Sequence, residues 1–178
     1  NLYIAYKNIV RDFDYDVYRC RSIAGYNLGN ACVTRKSSDS AANYFNTAFS
    51  DINISIEKFP ASADNYFQRG YIYFQLKKYK EAITDFNQSD KLLPNQFQVY
   101  FWRGFAKYCL KMLEEAVADY TLALQQNAKD PATFINRSTV YYELKDYPKA
   151  FKDYCSAGDL GQALNKEYFF KLKALAGK

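Results

Sequence analysis

Apolar side chains recur at i, i+3 and i+4 along most of the chain, in pairs of stripes that return every 34 residues. The three clearest copies read NYFQRGYIYFQLKKYKEAITDF from Asn65, VYFWRGFAKYCLKMLEEAVADY from Val99 and TFINRSTVYYELKDYPKAFKDY from Thr133. Each stripe predicts an amphipathic helix, so each copy predicts a helical hairpin. Because one such hairpin cannot bury its own apolar face, neighbouring copies must stack on each other.

Two columns of small residues predict where the two helices of each hairpin cross. The columns are Gly70, Gly104 and Ser138 and, twelve residues later, Ala82, Ala116 and Ala150. Small side chains let helices approach closely, and a large one at Gly70 or Ala82 would overpack the crossing at a cost of about 1–3 kcal/mol.

The ends of the predicted helices carry their own signals. Ser62 is placed to cap the helix that follows it, and Asp130 with Pro131 supplies an N-cap and a proline at the first helical position. Pro60 and Pro94 are expected to end the second helices of the two units before them.

The combined pattern resembles the tetratricopeptide repeat (TPR) family, whose members repeat a two-helix unit every 34 residues. The first full copy fits the family signature with Tyr66, Arg69, Gly70, Tyr73, Ala82, Phe86, Ser89 and Pro94, and departures in later copies include Lys107 and Ser138. The resemblance implies an all-α, right-handed superhelix of antiparallel helix pairs, the TPR solenoid. It places repeats at residues 63–96, 97–130 and 131–164, and a capping helix and tail at residues 165–178.

The N-terminal third is less regular, and we expect a degenerate repeat at residues 22–61. Gly29 then corresponds to Gly70, but only if roughly seven extra residues enlarge the inner turn. Those residues would lie in the stretch RKSSDSAAN, Arg35 to Asn43. Residues 1–21 are expected to be a helical extension or the remnant of a preceding repeat. Because the first residue is not Met, we expect a processed form or a piece of a longer chain.

Charged residues form two further columns, which should meet because an unpaired charge near a helix seam is costly. The bases are Arg69, Arg103 and Arg137, and the acids are Asp51, Asp85, Asp119 and Asp153. Pairing each acid forward to the next repeat gives Asp51–Arg69, Asp85–Arg103 and Asp119–Arg137, and leaves Asp153 facing Lys171. Every acid then has a partner, so we expect inter-repeat ion pairs that set the register of the stack. The alternative is a row of arginines that binds an acidic ligand.

In TPR proteins the first helix of each repeat lines a concave groove. The resemblance therefore implies a partner-binding groove formed mostly by rings: Tyr26, Asn30, Phe67, Tyr71, Phe74, Phe101, Phe105, Tyr108 and Tyr142. Rings with polar tips suit an apolar helical or an extended peptide segment of another protein. The alternative is a self-associating structural domain whose groove is filled by its own terminal segment or by a second copy.

Some TPR domains hold the acidic C-termini of heat-shock chaperones with a two-carboxylate clamp of Lys, Asn and Arg residues. At the clamp positions this chain has Phe67, Tyr71, Gln98 and Trp102. The resemblance therefore implies an adaptor, a co-chaperone-like protein or an assembly scaffold that does not bind those tails.

The amino-acid composition argues against several classes of function. The chain has 18 Tyr and 14 Phe but no His, which removes the commonest general base and metal ligand. The sequence also has no Gly-rich phosphate loop and no nucleophile–base pair, so we expect no enzyme activity, no metal and no cofactor. The net charge of +5 falls mostly in turns and on outer positions, which argues against nucleic acid as a partner. No apolar run reaches the roughly 18 residues of a membrane span.

The four cysteines show no metal-binding spacing, and we interpret them as small buried side chains. A disulfide between Cys20 and Cys32 remains an alternative, but on one helix these two residues would be too far apart to bridge. Free thiols favour a reducing compartment such as the cytoplasm without fixing it.

Overall fold

The computed structural model describes residues 17–29, 31 and 38–177. Within that part of the chain there are nine helices and no strands, so the prediction of an all-α fold is confirmed. The helices are α1 (residues 17–29), α2 (Ser38–Lys58), α3 (Ala63–Gln75), α4 (Tyr79–Leu92), α5 (Phe97–Cys109), α6 (Leu113–Gln126), α7 (Pro131–Glu143), α8 (Tyr147–Asp159) and α9 (Lys166–Ala176). They fall into two compact units, one that ends at Leu92 and one that begins at Leu93.

Side-chain caps begin several of these helices. The Ser62 hydroxyl accepts a hydrogen bond from the amide of Asn65 at 3.4 Å, and the Asp130 carboxylate accepts one from the amide of Thr133 at 2.7 Å. Both predicted caps are confirmed, and Pro131 takes the first position of α7. The predicted ends are confirmed as well, since α2 and α4 each end two residues before a proline.

The turn inside each of the three regular hairpins is the same. Lys77, Lys111 and Lys145 have left-handed φ angles of 59°, 61° and 62°, which are uncommon for a residue with a Cβ. In the α3–α4 turn the amide of Lys78 donates to the carbonyl of Tyr73 at 2.9 Å, and equivalent bonds close the other two turns. This Schellman-type closure satisfies the last carbonyls of the first helix and turns the chain back on itself.

In the first unit, one cluster of buried apolar residues joins α1, α2 and α3 through Tyr26, Ala48, Ile52 and Ile72. Ala82 and Phe86 of α4 are fully buried as well. In the second unit, one cluster joins Ala116, Tyr120 and Val140, and another joins Ala150, Tyr154 and Leu172. Because Leu172 is fully buried, α9 packs on the α7–α8 hairpin as a further helix of the second unit.

The first hairpin has a different register from the one expected. The Ser22 hydroxyl donates to the carbonyl of Ala48 at 2.8 Å, as the Ser138 hydroxyl donates to the carbonyl of Ala150 at 2.7 Å. Ser22 therefore corresponds to Ser138, and the position predicted for Gly29 is wrong by seven residues. Seven residues are about two helical turns, so the error returns to the same face of the helix.

This register changes the boundaries of the first hairpin. The boundary expected between residues 21 and 22 falls inside α1, because both residues are helical. The predicted enlarged turn is also placed differently, since α2 already begins at Ser38. Asn30, Cys32 and residues 1–16 lie outside the described residues.

The remaining cysteines, Cys20, Cys109 and Cys155, are free thiols. Among the described residues, no helix combines the length and the apolar character needed to cross a membrane.

Candidate functional site

Aromatic rings follow one another along α5. Phe97 and Phe101 stack with ring centres 5.9 Å apart, and Trp102 and Phe105 stack at 6.2 Å. Phe101 also meets Trp102 edge-on at 5.2 Å, which joins the two pairs. We call these four residues the α5 ring face.

The α5 ring face is anchored on the core of the second unit. Phe101 and Phe105 pack against the buried cluster that contains Ala116, Tyr120 and Val140. The ring of Phe101 meets that of Tyr120 edge-on at 6.1 Å. Both phenylalanines are nevertheless only half-buried. Packing against the core therefore fixes the inner side of each ring, and part of each ring remains exposed to solvent.

Beside this face, a polar network joins α5 to α7. The Tyr108 hydroxyl donates to Glu143 Oε1 at 2.6 Å, and the Lys111 ammonium donates to Glu143 Oε2 at 2.7 Å. The bond to Glu143, together with burial, raises the pKa of Tyr108 to about 12. The bonds from Lys111 and Tyr108 lower the pKa of Glu143. Glu143 is thus held ionised between two donors.

Tyr142 lies where α7 meets α9. Its ring contacts that of Tyr168 with centres 5.8 Å apart, and Lys171 Nζ lies 5.3 Å from the centre of the Tyr142 ring. A hydrogen bond with Tyr142 raises the pKa of Lys171. Lys171 therefore contacts a tyrosine, and the prediction that it faces Asp153 is wrong.

In the first unit, the predicted groove rings of α3 are half-buried and close together. Phe67 and Tyr71 stack with centres 6.4 Å apart, and Phe74 meets Tyr79 edge-on at 5.5 Å. Tyr26 differs, because it is only 7% exposed and meets the edge of Tyr71 at 5.5 Å inside the core. The prediction of Tyr26 as an open groove residue is wrong, because its ring packs against those of Phe45 and Tyr71.

The charged columns pair within each hairpin, so the predicted forward pairing to the next hairpin is wrong. The observed pairs are Arg21–Asp51, Arg69–Asp85, Arg103–Asp119 and Arg137–Asp153, instead of Asp51–Arg69, Asp85–Arg103, Asp119–Arg137 and Asp153–Lys171. In the last hairpin, two N–H groups of Arg137 donate to both oxygens of Asp153 at 2.6 and 2.9 Å. The two side chains face each other across the hairpin, which permits this bidentate geometry.

The arginines still link neighbouring hairpins, but through uncharged groups. Arg69 Nη1 donates to Asn53 Oδ1 at 2.9 Å, which joins α3 to α2. Arg137 Nη1 donates to Thr121 Oγ1 at 2.9 Å, which joins α7 to α6. A guanidinium has five N–H donors in a fixed fork, so it can hold an acid in its own hairpin and an acceptor in the preceding helix together.

The glycines of the first two regular hairpins, Gly70 and Gly104, lie at helix crossings. A Cβ at Gly70 would lie 3.0 Å from the ring of Phe86, and one at Gly104 would lie 3.2 Å from the ring of Tyr120. Gly29 lies at a crossing too, in its own register, since a Cβ there would lie 2.6 Å from the ring of Phe45. The partner residues of the second column are fully buried: Ala82, Ala116 and Ala150.

Three rings near the site were not predicted to belong to it. Phe97 has an i, i+4 spacing to Phe101 that could have revealed it. Trp102 lies at a predicted clamp position, where it replaces the cation that the clamp needs. Tyr168 lies in the predicted capping helix. Among the described residues, no three His, Cys, Asp or Glu side chains come close enough to hold a metal ion.

Part of the chain matches a known protein family. Residues 70–111 match the family model described as TPR repeat. Comparison with curated protein sequences finds no match.

Several solved structures share the fold. MamA 41-end from Desulfovibrio magneticus RS-1 has 14% sequence identity and a TM-score of 0.63, and the match covers 79% of this chain and 95% of that one. The first TPR of Spaghetti (RPAP3), bound to HSP90 peptide SRMEEVD, has 21% identity and a TM-score of 0.58, with coverage of 71% and 94%. The Arabidopsis OM64 TPR domain has 21% identity and a TM-score of 0.55, with coverage of 71% and 98%. The resemblance and the TPR solenoid fold predicted from the sequence are confirmed.

Proposed function

Because this chain carries tetratricopeptide repeats, whose fold is that of a scaffold for protein–protein interaction, we propose that it is a non-catalytic interaction module that binds an apolar peptide segment of a partner protein. The binding surface is the α5 ring face. The partner segment is helical or extended, and it inserts apolar side chains between rings that are already fixed in place.

The observation that carries this proposal is the half-buried state of Phe101 and Phe105 on a fully buried support. Contiguous aromatic surface that stays in water usually marks a partner site. Rings also bury a large area with few rotatable bonds, so a partner that covers them loses little conformational entropy. The rings need no rearrangement before binding, because the core already holds their inner sides.

The residues at the clamp positions argue against one class of peptide. The structure of the first TPR of Spaghetti (RPAP3) holds HSP90 peptide SRMEEVD, which contains three acidic residues. Aromatic and uncharged residues such as Phe67, Tyr71 and Trp102 stand where the carboxylate clamp needs cations and Asn. We therefore propose that the partner segment is apolar and that acidic chaperone tails do not bind.

Self-association is the second candidate. If the chain self-associates, a second copy covers the α5 ring face. The described C-terminal helix is already engaged elsewhere, since Leu172 of α9 is buried on the α7–α8 hairpin and Tyr168 contacts Tyr142. The candidates that remain are the chain's own N-terminal segment and a second copy, and molar mass measured by light scattering across a dilution series tests the second copy. A concentration-independent monomer favours the peptide-binding module, and a dimer that Phe101→Lys dissociates favours self-association.

The binding proposal is tested with peptides selected from a display library and measured by fluorescence anisotropy. Phe101→Lys should weaken a selected peptide at least tenfold, while the variant still folds and melts cooperatively at a modestly lower temperature because it loses the ring contact with Tyr120. Phe170→Lys is the matched control, because Phe170 is 64% exposed on α9, away from the α5 ring face. Equal affinity of the Phe101 variant and the parent chain would refute the proposed surface. Loss of folding in that variant would show that Phe101 is a core residue.

A further inference from the structure

The α7–α8 hairpin contains a cavity of about 220 Å³ that is separate from the α5 ring face. It is lined by Arg137, Tyr141, Lys149, Lys152 and Asp153. Three of these five side chains are cations and one is an acid, so the lining has an excess of positive charge.

The excess positive charge of the lining comes from Lys149 and Lys152. Arg137 and Asp153 neutralise each other through their bidentate pair, and the remaining Arg137 Nη1 is bonded to Thr121. These groups are therefore fixed parts of the wall. Lys149 and Lys152 are left as the charges that a ligand would meet.

Neither lysine forms a strong ion pair with another described residue. Lys149 Nζ bonds to Asp146 Oδ2 at 2.6 Å, but the Lys149 side chain is 62% exposed, and an ion pair of that kind is weak in water. The same ammonium lies 5.4 Å from the centre of the Tyr141 ring, so it stands at the cavity. Lys152 makes no ion pair with any residue that the structure describes.

The other regular hairpins form the same Arg–Asp pair without lysines at these two positions. The positions of Lys149 and Lys152 are occupied by Glu81 and Thr84 in the α3–α4 hairpin. In the α5–α6 hairpin they are Glu115 and Ala118. The Arg–Asp pair is present in all three hairpins. Of these three hairpins, the α7–α8 hairpin alone has two lysines at these positions, and the same Arg–Asp pair forms where the first of them is an acid.

From this arrangement we infer that the α7–α8 cavity binds an oxyanion carried by a peptide side chain, either a carboxylate or a phosphate ester. The two ammonium groups attract the anion, and the Tyr141 ring with the lysine stems forms the apolar wall beside it. A volume of about 220 Å³ holds several water molecules at about 30 Å³ each, so it accommodates a side chain and not only a small ion. The inference does not depend on the α5 ring face.

The test uses the full chain and two capped alanine-based peptides that differ only in the central residue, glutamate or phosphotyrosine, with inorganic phosphate as a third probe. Amide chemical shifts in ¹⁵N-labelled protein report binding at Tyr141, Lys149 and Lys152. At least one peptide should give saturable shifts there, and the tighter one identifies the source of the oxyanion. Lys149→Glu with Lys152→Thr, which copies the α3–α4 hairpin, should weaken that peptide at least tenfold.

The matched control is Lys80→Glu with Lys129→Thr, which makes the same change of charge at two exposed lysines outside the cavity. It should bind the peptide within about twofold of the parent chain, since neither lysine lines the cavity. Equal weakening in both double variants would overturn the inference, because the attraction would then be nonspecific. Binding of inorganic phosphate alone, or of no probe, would overturn it as well.

Discussion

Replacing Asp153 by Asn should strongly destabilise the second unit, because Arg137 would lose its acid. The Arg137 side chain is 16% exposed and that of Asp153 is 6% exposed, so the pair is largely removed from water. Removing one partner of a buried pair typically costs 3–5 kcal/mol. Since Arg137 keeps its bond to Thr121 and some contact with solvent, we expect the lower end, about 3 kcal/mol.

A double-mutant cycle shows which acid Arg137 is paired with. Arg137→Gln combined with Asp153→Asn should give a coupling energy of about 2–3 kcal/mol, because the two side chains share two charge-assisted hydrogen bonds. The control cycle combines Arg137→Gln with Asp119→Asn, which tests pairing forward from the preceding hairpin. Asp119 is bonded to Arg103 and Lys107, so the effects in this cycle should add within about 0.5 kcal/mol.

Urea unfolding measures both cycles, with the fluorescence of Trp102, the only tryptophan, as the probe. The slopes of the unfolding curves should stay constant, so that shifts of the midpoint report stability. A larger coupling with Asp119 than with Asp153 would refute pairing within the hairpin. Two equally small couplings would show that the pair contributes no stability.

Three further changes test the packing and the charges. Gly104→Val should cost about 1–3 kcal/mol in urea unfolding, because its Cβ would lie 3.2 Å from a packed ring, whereas Gly177→Ala should be nearly neutral. The lowered pKa of Glu143 stabilises the fold above the usual value of 4.5 and is lost as the pH falls through the folded value, so Glu143→Gln should flatten the acid side of the stability profile. Arg21→Ala should destabilise the first unit more than Leu28→Ala, because it leaves the buried carboxylate of Asp51 without its partner. The reverse order would favour the register predicted from the sequence, in which Leu28 takes the arginine position.

The three regular hairpins could be predicted because independent signals agree on them. The 34-residue period, the small residues at the crossings and the capping residues Ser62 and Asp130 all point to the same helix boundaries. The caps and the prolines act locally: a cap bonds within the first turn of its own helix, and a proline disfavours helical geometry in the residue before it.

The ion-pair partners could not be predicted in the same way. Along the sequence, Asp119 is sixteen residues after Arg103 and eighteen before Arg137, so spacing does not separate the two choices. The choice of forward pairing depended on finding Leu28 where an arginine was needed. Arg21 supplies that arginine instead, and each acid then has a partner in its own hairpin.

The register of α1 shows why a repeat with an insertion is hard to place. Ser22 and Gly29 are both small and lie about two helical turns apart, so both fall on the same face of the helix. The hydrogen bond from Ser22 to Ala48 and the Arg21–Asp51 pair identify the equivalent of Ser138, and both contacts join two helices. Periodicity in the sequence shows which residues share a face of the helix. It does not show which of these residues lies opposite a given residue of the neighbouring helix.

The extent of the site was also underestimated, for a related reason. Groove positions transferred from a family mark which residues face inward, but they do not show how neighbouring rings stack. Phe97 extends the α5 ring face through Phe101, and the side-chain geometry of α5 was needed to see it.

The most direct test of the proposed function follows the aromatic carbon resonances of Phe101 and Phe105 by NMR while a selected apolar peptide is added. If the α5 ring face binds the peptide, these resonances shift and saturate together, and those of Phe170 remain unchanged. Shifts confined to Phe170, or saturable binding that leaves Phe101 and Phe105 unmoved, would contradict the proposal.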